Sequence, residues 1–497
     1  MIVTDEPRVE PGGVALRSRG GLAVVAATVL ASMVGFVDAY MINVAVPAIG
    51  RSLHAGLAGL QWVLAGYLLT VAALLLLAGS LADRLGRRRS LMLGLAVMLT
   101  ASVACAAAPT IGALIAARVV QGIGGALVVP SSLALLNGTL RPADRASGIG
   151  WWAGISTIGS TVGPYAGGWL VDHASWRWVF LLNVPLVLAA LAVLLVVPEN
   201  AGARGSWSFD AAGGALAILG LGGVIYALTA GPDSGWASPS VVIAAVFGVA
   251  GLAALLPVER RRPRPMLRTA LFRSRQFDAI NVATLVLYGA LAAASYLVVL
   301  QCELRLGYSP TKAGAALIPE SAVFLLVSPL TGAIVGRAGV RWPMAAGMLC
   351  VAGGFAWLAA ARPGDPYAQA ILPGAVLWGL GIGLTVAPLT AGVLAAVDDE
   401  DLGEASAIND ASSRVGGVVL IALVPLLLGA HGSADLGASL ADNYALAMGV
   451  MAALSVVAAA VTVAFVSRGP EGRPALPPAT PRIHGCPAPR AGGTIKA

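Results

Sequence analysis

Three charged residues stand where charge is costly. Asp38 lies inside an apolar run that begins at Leu22 and ends at Ile49. Counted from Leu22 at about 1.5 Å per residue, it sits roughly 24 Å along a helix. A short side chain at that depth cannot reach water. A carboxylate at a bilayer centre costs on the order of 3 kcal/mol, and intramembrane acids of this kind serve proton relays and substrate pathways. The other reading is a buried Asp that ties helices together by hydrogen bonds. Arg118 lies about 10 Å inside the far end of another apolar run, and Asp38 about 16 Å from that same face. Their depths allow pairing if the two helices are neighbours; a structural Arg bonded to carbonyls is the alternative. Glu320, behind Pro319, lies about 12 Å inside a further run. A proton site, a site for a substrate cation, or a neutral buried acid would each fit. Asp410 and Arg414 are four residues apart on one helical face, which predicts an ion pair.

The elements that must hold these groups are membrane helices. Of 497 residues, 58% are hydrophobic and 11% charged, against about a quarter charged in soluble folds. Apolar runs near the roughly 20 residues needed to span a bilayer recur along the chain, and we count fourteen. All but seven of the 31 Lys and Arg fall in the two tails and alternate loops; the seven are Arg51, Arg118, Arg177, Arg305, Lys312, Arg362 and Arg414. That bias predicts a multi-pass protein of the cell (plasma) membrane with both ends cytoplasmic, and it explains the net charge of +7 without nucleic acid. The most basic loop, 259–275, reads as an anchor to anionic lipid. Trp176 and Trp178, at an outer helix end, read as interface anchors.

Several functions are disfavoured. Cys105, Cys302, Cys350 and Cys486 form no disulfide or metal pattern. The four His (His54, His173, His431, His484) lie in loops or the tail without a catalytic set, so an enzyme is not expected. No phosphate-binding Gly-rich loop with Lys is present. No cofactor is expected, and the energy must come from an ion gradient. A non-transporting membrane sensor of the same fold would not need Asp38 or Arg118.

A repeat appears at a shift of 253 residues. Gly79, Arg84, Gly86 and Arg88 recur as Gly332, Arg337, Gly339 and Arg341, while Asp83 becomes Gly336. The predicted organisation is a tail (1–21), a six-helix bundle (22–198), a linker with two extra spans (199–276), a second six-helix bundle (277–466) and a disordered Pro-rich tail (467–497). Parallel halves of six enclosing a midplane cavity are a transporter plan. The acid and the Arg are confined to the first half: their repeat partners, near Leu291 and near Ala375, are uncharged.

Residues 79–89, Gly-Ser-Leu-Ala-Asp-Arg-Leu-Gly-Arg-Arg-Arg, resemble the signature loop between helices two and three of the major facilitator superfamily. Residues 38–47, 118–126 and 176–185, together with Gly150, Gly159, Gly163, Pro164, Gly167 and Gly168, resemble motifs of its 14-span drug:proton antiporter branch. The resemblance implies an all-α fold of two six-helix bundles plus two inserted helices. It also implies proton-coupled export of hydrophobic or cationic drugs and antibiotics by alternating access. The alternative is a dedicated exporter of a natural product, siderophore or other metabolite. Asp38, Arg118 and Glu320 are then the proton-coupling candidates. Gly79, Asp83, Arg84, Gly86, Arg87 and Arg88, with Gly159, Gly163, Pro164, Gly167 and Gly168, are the gating candidates. Asn43, Tyr67, Gln121, Phe324 and Trp378 are candidates for lining the substrate cavity. The partners implied are a small lipophilic or cationic substrate, protons and membrane lipids, with the chain acting as a monomer.

Overall fold

In lipid a helix satisfies its own backbone, so long apolar runs are forced into helices. The structure, a computed structural model, describes residues 13–197, 211–261, 270–398, 401–429 and 436–467. Among them it is helical apart from one isolated bridge between Val14 and Leu140. Most of the expected disordered tail and Arg262, Arg264 and Arg268 of the basic loop lie outside the described residues.

The first half holds α1 (Arg19–Leu53), α2 (Leu57–Leu85), α3 (Arg87–Ala107), α4 (Ile111–Thr139), α5 (Pro142–His173), α6 (Arg177–Leu181) and α7 (Asn183–Leu194). Two further helices follow, α8 (Ala211–Ser234) and α9 (Pro239–Arg261). The second half holds α10 (Arg275–Leu300), which continues into a π-helical turn at Gln301–Arg305, then α11 (Pro310–Ala315) and α12 (Ile318–Ala338). It closes with α13 (Arg341–Leu358), α14 (Tyr367–Ala370), α15 (Leu372–Ala395), α16 (Leu402–Leu428) and α17 (Leu436–Phe465). The first helix begins at Arg19 rather than at residue 22 because Ser18 caps it, its Oγ accepting the Gly21 N–H at 3.1 Å. Pro185 and Pro319 cannot donate to the carbonyls four residues back, Leu181 and Ala315. Those are the residues at which α6 and α11 end, each just before the following helix begins.

Twelve helices or joined helix pairs among the described residues are long and apolar enough to cross a bilayer. The fourteen expected include two more, α5 and α13. Glycine and polar residues dilute the hydropathy of α5, and Arg341 that of the short α13. Both are nonetheless packed within the bundle, α5 along α1 and α13 between α15 and α17.

The repeat is architectural. In each half the first helix packs on the fifth, and the fourth packs on the second and third: α1 on α5 and α4 on α2 and α3, then α10 on α16 and α15 on α12 and α13. Gly86 and Gly339, paired by the repeat, both adopt positive φ (91° and 68°) in the turn after the second helix, a conformation that L side chains resist. The inserted α8 lies across α2 and α16, with Leu221 and Ile225 packed against Ala65, Val418 and Ala422. Next to it α9 turns Val246 and Phe247 outward, 59% and 68% exposed, as a lipid-facing surface requires.

One end of the seam between the halves is sealed. Asp172, at the end of α5, accepts hydrogen bonds from the backbone N–H (2.9 Å) and the hydroxyl of Thr311 on α11. Gly168 packs against the Pro310 carbonyl, and Gly314 against that of Pro164, with no space for a Cβ at either. Gln61 on α2 donates to the Ile421 carbonyl of α16 at 3.1 Å, the group that Pro425 leaves without its helical partner. On its other face α5 approaches α1 through Gly159, Gly163 and Gly167, stacked at four-residue intervals over Met33, Val37 and Met41. A Cβ on Gly163 would lie 3.3 Å from the Val37 carbonyl oxygen. Gly163→Leu is therefore expected to insert normally but to lose about 1–3 kcal/mol of stability; thermal unfolding of the purified protein in detergent checks this.

Candidate functional site

Five helices of the first half bring polar groups to one buried point. Asp38 lies near the midpoint of α1 and is 2% exposed. Its Oδ2 accepts from Arg118 Nη1 at 2.5 Å, and its Oδ1 from Gln121 Nε2 and Asn183 Nδ2, both at 2.8 Å. Arg118 is 1% exposed, and its Nη1 also donates to Gln121 Oε1 at 2.7 Å while its Nε donates to the Val63 carbonyl of α2 at 3.0 Å. Gln121 reaches Ser102 of α3 at 3.0 Å, and Asn183 reaches the same hydroxyl at 3.4 Å. Cys105 donates weakly to Gln121 from 3.7 Å. The guanidinium lies over the Tyr67 ring at 4.4 Å and 5.8 Å from the Phe180 ring centroid, so its unbonded faces meet aromatic carbon.

Local sequence makes this convergence possible. Arg118 and Gln121 are one turn apart on α4 and so share a face. Gly122 and Gly125 bring that helix onto Tyr67 and Thr70 of α2, while Gly124 brings it onto Gly94 and Met98 of α3. Asn183 enters because α7 begins there, just after α6 ends. Asn183 and Ser102 were not among the site residues named from sequence. The signal for Asn183 was an amide inside an apolar run; Ser102 had none, because serine is common in membrane helices.

The other candidates lie elsewhere. Glu320 begins α12, half-buried, with Ser321 Oγ donating to it at 2.9 Å. It faces Tyr40 of α1 within electrostatic reach, and Tyr40, 41% exposed in mid-helix, opens onto the space between the halves. Phe324 is half-buried one turn beyond Glu320. Trp378 is buried, edge-on to Phe355 at 4.8 Å, within the second half's own core. Asn43 is buried on α1. Asp410 and Arg414 form the expected ion pair at 3.0 Å, and Arg414 also lies within reach of Tyr40 and Tyr67. Beside it, a cavity of about 160 Å³ is lined by Tyr288, Thr390, Ser406, Asn409, Asp410 and Ser413.

The gating candidates divide. Arg87 Nη1 donates to the Ala134 carbonyl at 3.0 Å, and Arg88 donates to the carbonyls of Leu194 and Leu195 at 2.9 and 3.2 Å. They tie the start of α3 to α4 and to the end of α7. The side chains of Asp83 and Arg84 and the surroundings of Gly79 lie outside what the structure describes. Trp178 is 51% exposed, as an interface anchor should be. Trp176 is not an anchor: it is 4% exposed, edge-on to Phe180 and under the Arg177 guanidinium, because the α5–α6 turn folds it inward.

An ion pair this dry predicts a non-additive pattern. Arg118→Leu strands the Asp38 charge and should cost about 3–5 kcal/mol. Asp38→Asn/Arg118→Leu should recover much of that loss, a coupling readable as thermal midpoints across the double-mutant cycle.

A family model described as "Major Facilitator Superfamily" matches residues 28–318 and 280–486. The chain is 35% identical over 425 residues to "Multidrug resistance protein Stp" of Mycobacterium tuberculosis (strain CDC 1551 / Oshkosh), covering 84% of this chain and 78% of that one. It is 31% identical over 433 residues to "Tetracenomycin C resistance and export protein" of Streptomyces glaucescens, covering 86% and 80%. Its fold matches the crystal structure of a peptide transporter, POT, in complex with sulfate, with a TM-score of 0.67 at 17% identity, covering 91% of this chain and 96% of that one. By sequence and by fold this chain belongs to the major facilitator superfamily, and it is a membrane transporter rather than an enzyme.

Proposed function

We propose that this protein exports hydrophobic or cationic drug-like molecules in exchange for protons, crossing the membrane fourteen times with α5 and α13 included. The observation that carries the reading is Asp38: a carboxylate sealed among apolar helices and held by three donors from Arg118, Gln121 and Asn183. Relatives named for multidrug resistance and for tetracenomycin C export support the direction and class of substrate. The distribution of Lys and Arg supports cytoplasmic ends, which makes the sealed end of the seam the outer one.

A proton arriving at Asp38 changes the site's hydrogen-bond balance. Three donors converge on the carboxylate, and protonation adds a fourth donor while removing the charge that holds Arg118. The Asn183 Oδ1, buried without a partner, becomes an acceptor for the new O–H once its amide rotates. Arg118 keeps the Val63 carbonyl and Gln121, so the change falls on α1 relative to α4 and α7. Arg87 and Arg88 hold α3, α4 and α7 together at the opposite rim while α1 shifts against them. Substrate enters the space faced by Tyr40, Glu320 and the Asp410–Arg414 pair.

Reconstituted protein with an imposed pH gradient tests this. Wild type is expected to accumulate a lipophilic cation such as ethidium against its gradient, and Asp38→Asn to lose that accumulation by about tenfold or more while still equilibrating substrate. Unchanged uphill transport in Asp38→Asn would sink the proposal. A dedicated natural-product exporter, the reading that the tetracenomycin C relative favours, would transport a compound such as tetracenomycin C and ignore ethidium.

A further inference from the structure

The sealed end of the seam contains a second acid that the transport reading does not use. Glu303 lies in the π-helical turn Gln301–Arg305, where α10 departs from regular α-helix; such turns are rare and concentrate at functional sites. Its Oε1 is buried without a hydrogen-bond partner. Across the seam, Asp172 of α5 lies within electrostatic reach, and so does Arg51 near the end of α1. Asp172 is already engaged by Thr311 and so offers Glu303 a negative neighbour rather than a donor.

The remaining groups around this turn do not compensate. Cys302 on the same turn is fully buried, and α17 brings Tyr444, whose hydroxyl is also buried without a partner. Tyr308 is in the following loop, and Tyr367 of α14 donates to the Ala316 carbonyl. Lys312 of α11 is exposed, Arg305 is the cation on the turn itself, and His173 in the last turn of α5 adjoins Asp172. Arg51 and Asp172, the two charges that reach Glu303 across the seam, are both exposed and screened by solvent, so the burial of Glu303 Oε1 outweighs either.

We propose that Glu303 is a second proton-binding site, and that a proton on it permits the seam between α1–α5 and α10–α11 to close. The chemistry is simple. A hydronium ion at the mouth gives its proton to the carboxylate: one O–H bond breaks in the hydronium, one forms on Glu303, and water is left. In the closed seam Glu303 Oε1 is buried without a hydrogen-bond partner, so closure is costly while the carboxylate is charged. The neutral acid removes the desolvation cost, while the screened effects of Arg51 and Asp172 oppose each other. As the seam opens, water reaches the buried oxygen as well and the proton can leave. The glycine contacts at Gly168 and Gly314 make closure all-or-none, because the backbones either meet or do not.

The test reads closure alone, without substrate or gradient, so its outcome is independent of whether Asp38 couples transport. Spin labels are placed through Ser52→Cys near the end of α1 and Ala368→Cys on α14. The full-length protein carries Cys350→Ser and Cys486→Ser and sits in lipid nanodiscs. Electron–electron distance distributions are recorded from about pH 5.5 to about pH 8.5. In wild type the short-distance population should dominate at low pH and fall at least about threefold across that range. Glu303→Gln should hold the short distance throughout, and Glu303→Asp should restore the titration. A wild type that does not titrate, a Glu303→Gln that titrates like wild type, or a Glu303→Asp that stays closed at all pH values would each overturn the proposal.

Discussion

A carboxylate and a guanidinium taken out of water must be answered by other groups, and the first half of this protein is built around that demand. Stripping each ion of solvent costs several kcal/mol, and Coulomb attraction alone repays it only when the remaining hydrogen-bonding capacity is also filled. Here α1 supplies the acid, α4 the Arg and a glutamine, α7 an asparagine, α3 a hydroxyl and α2 a carbonyl. No pair of helices could satisfy the site. The glycines of α4 follow from this, since Gly122, Gly124 and Gly125 let one helix touch two neighbours closely enough for short side chains to reach.

The second half repeats the helix arrangement without the charge. Near the matching position on α15, Trp378 and Phe355 pack edge-on, and Leu291 lies against the apolar core. Glu320 and the Asp410–Arg414 pair instead face the space between the halves. Two copies of one architecture have thus diverged physically. One buries its polar groups inside a single bundle; the other turns them toward the space between the halves. Tyr67 connects the two, since its ring supports Arg118 on one side and lies within electrostatic reach of Arg414 on the other.

The fold was legible because lipid leaves the backbone one solution, and the repeat was legible because Gly86 and Gly339 serve the same positive-φ turn. Asp38 and Arg118 could be singled out because charge in an apolar run is rare, and matching depths suggested their pairing. What sequence could not supply was helix rotation. Without it, Ser102 looks like any other membrane serine, Trp176 looks like an anchor although it turns inward, and Trp378 looks as available to a cavity as Tyr40. The π-turn that holds Glu303 has no proline or glycine within it to announce it, and it packs against α11 and α17.

The buried site and the sealed mouth share a helix, which constrains how they communicate. Asp38 and Arg51 are both on α1, separated by about 20 Å of continuous helix. Along that length Gly159, Gly163 and Gly167 of α5 fit directly against α1. Close backbone packing of this kind resists shear, so α1 and α5 shift as a pair. The same α5 carries Gly168 and Asp172, which meet Pro310 and Thr311 of the other half. A change in the donors around Asp38 that displaces α1 must therefore displace the α5 face of the seam. No chain of polar contacts between the two points is required. In the proposed exchange the α1–α5 pair carries the motion, with the donors around Asp38 at one end and the Asp172–Thr311 contact at the other.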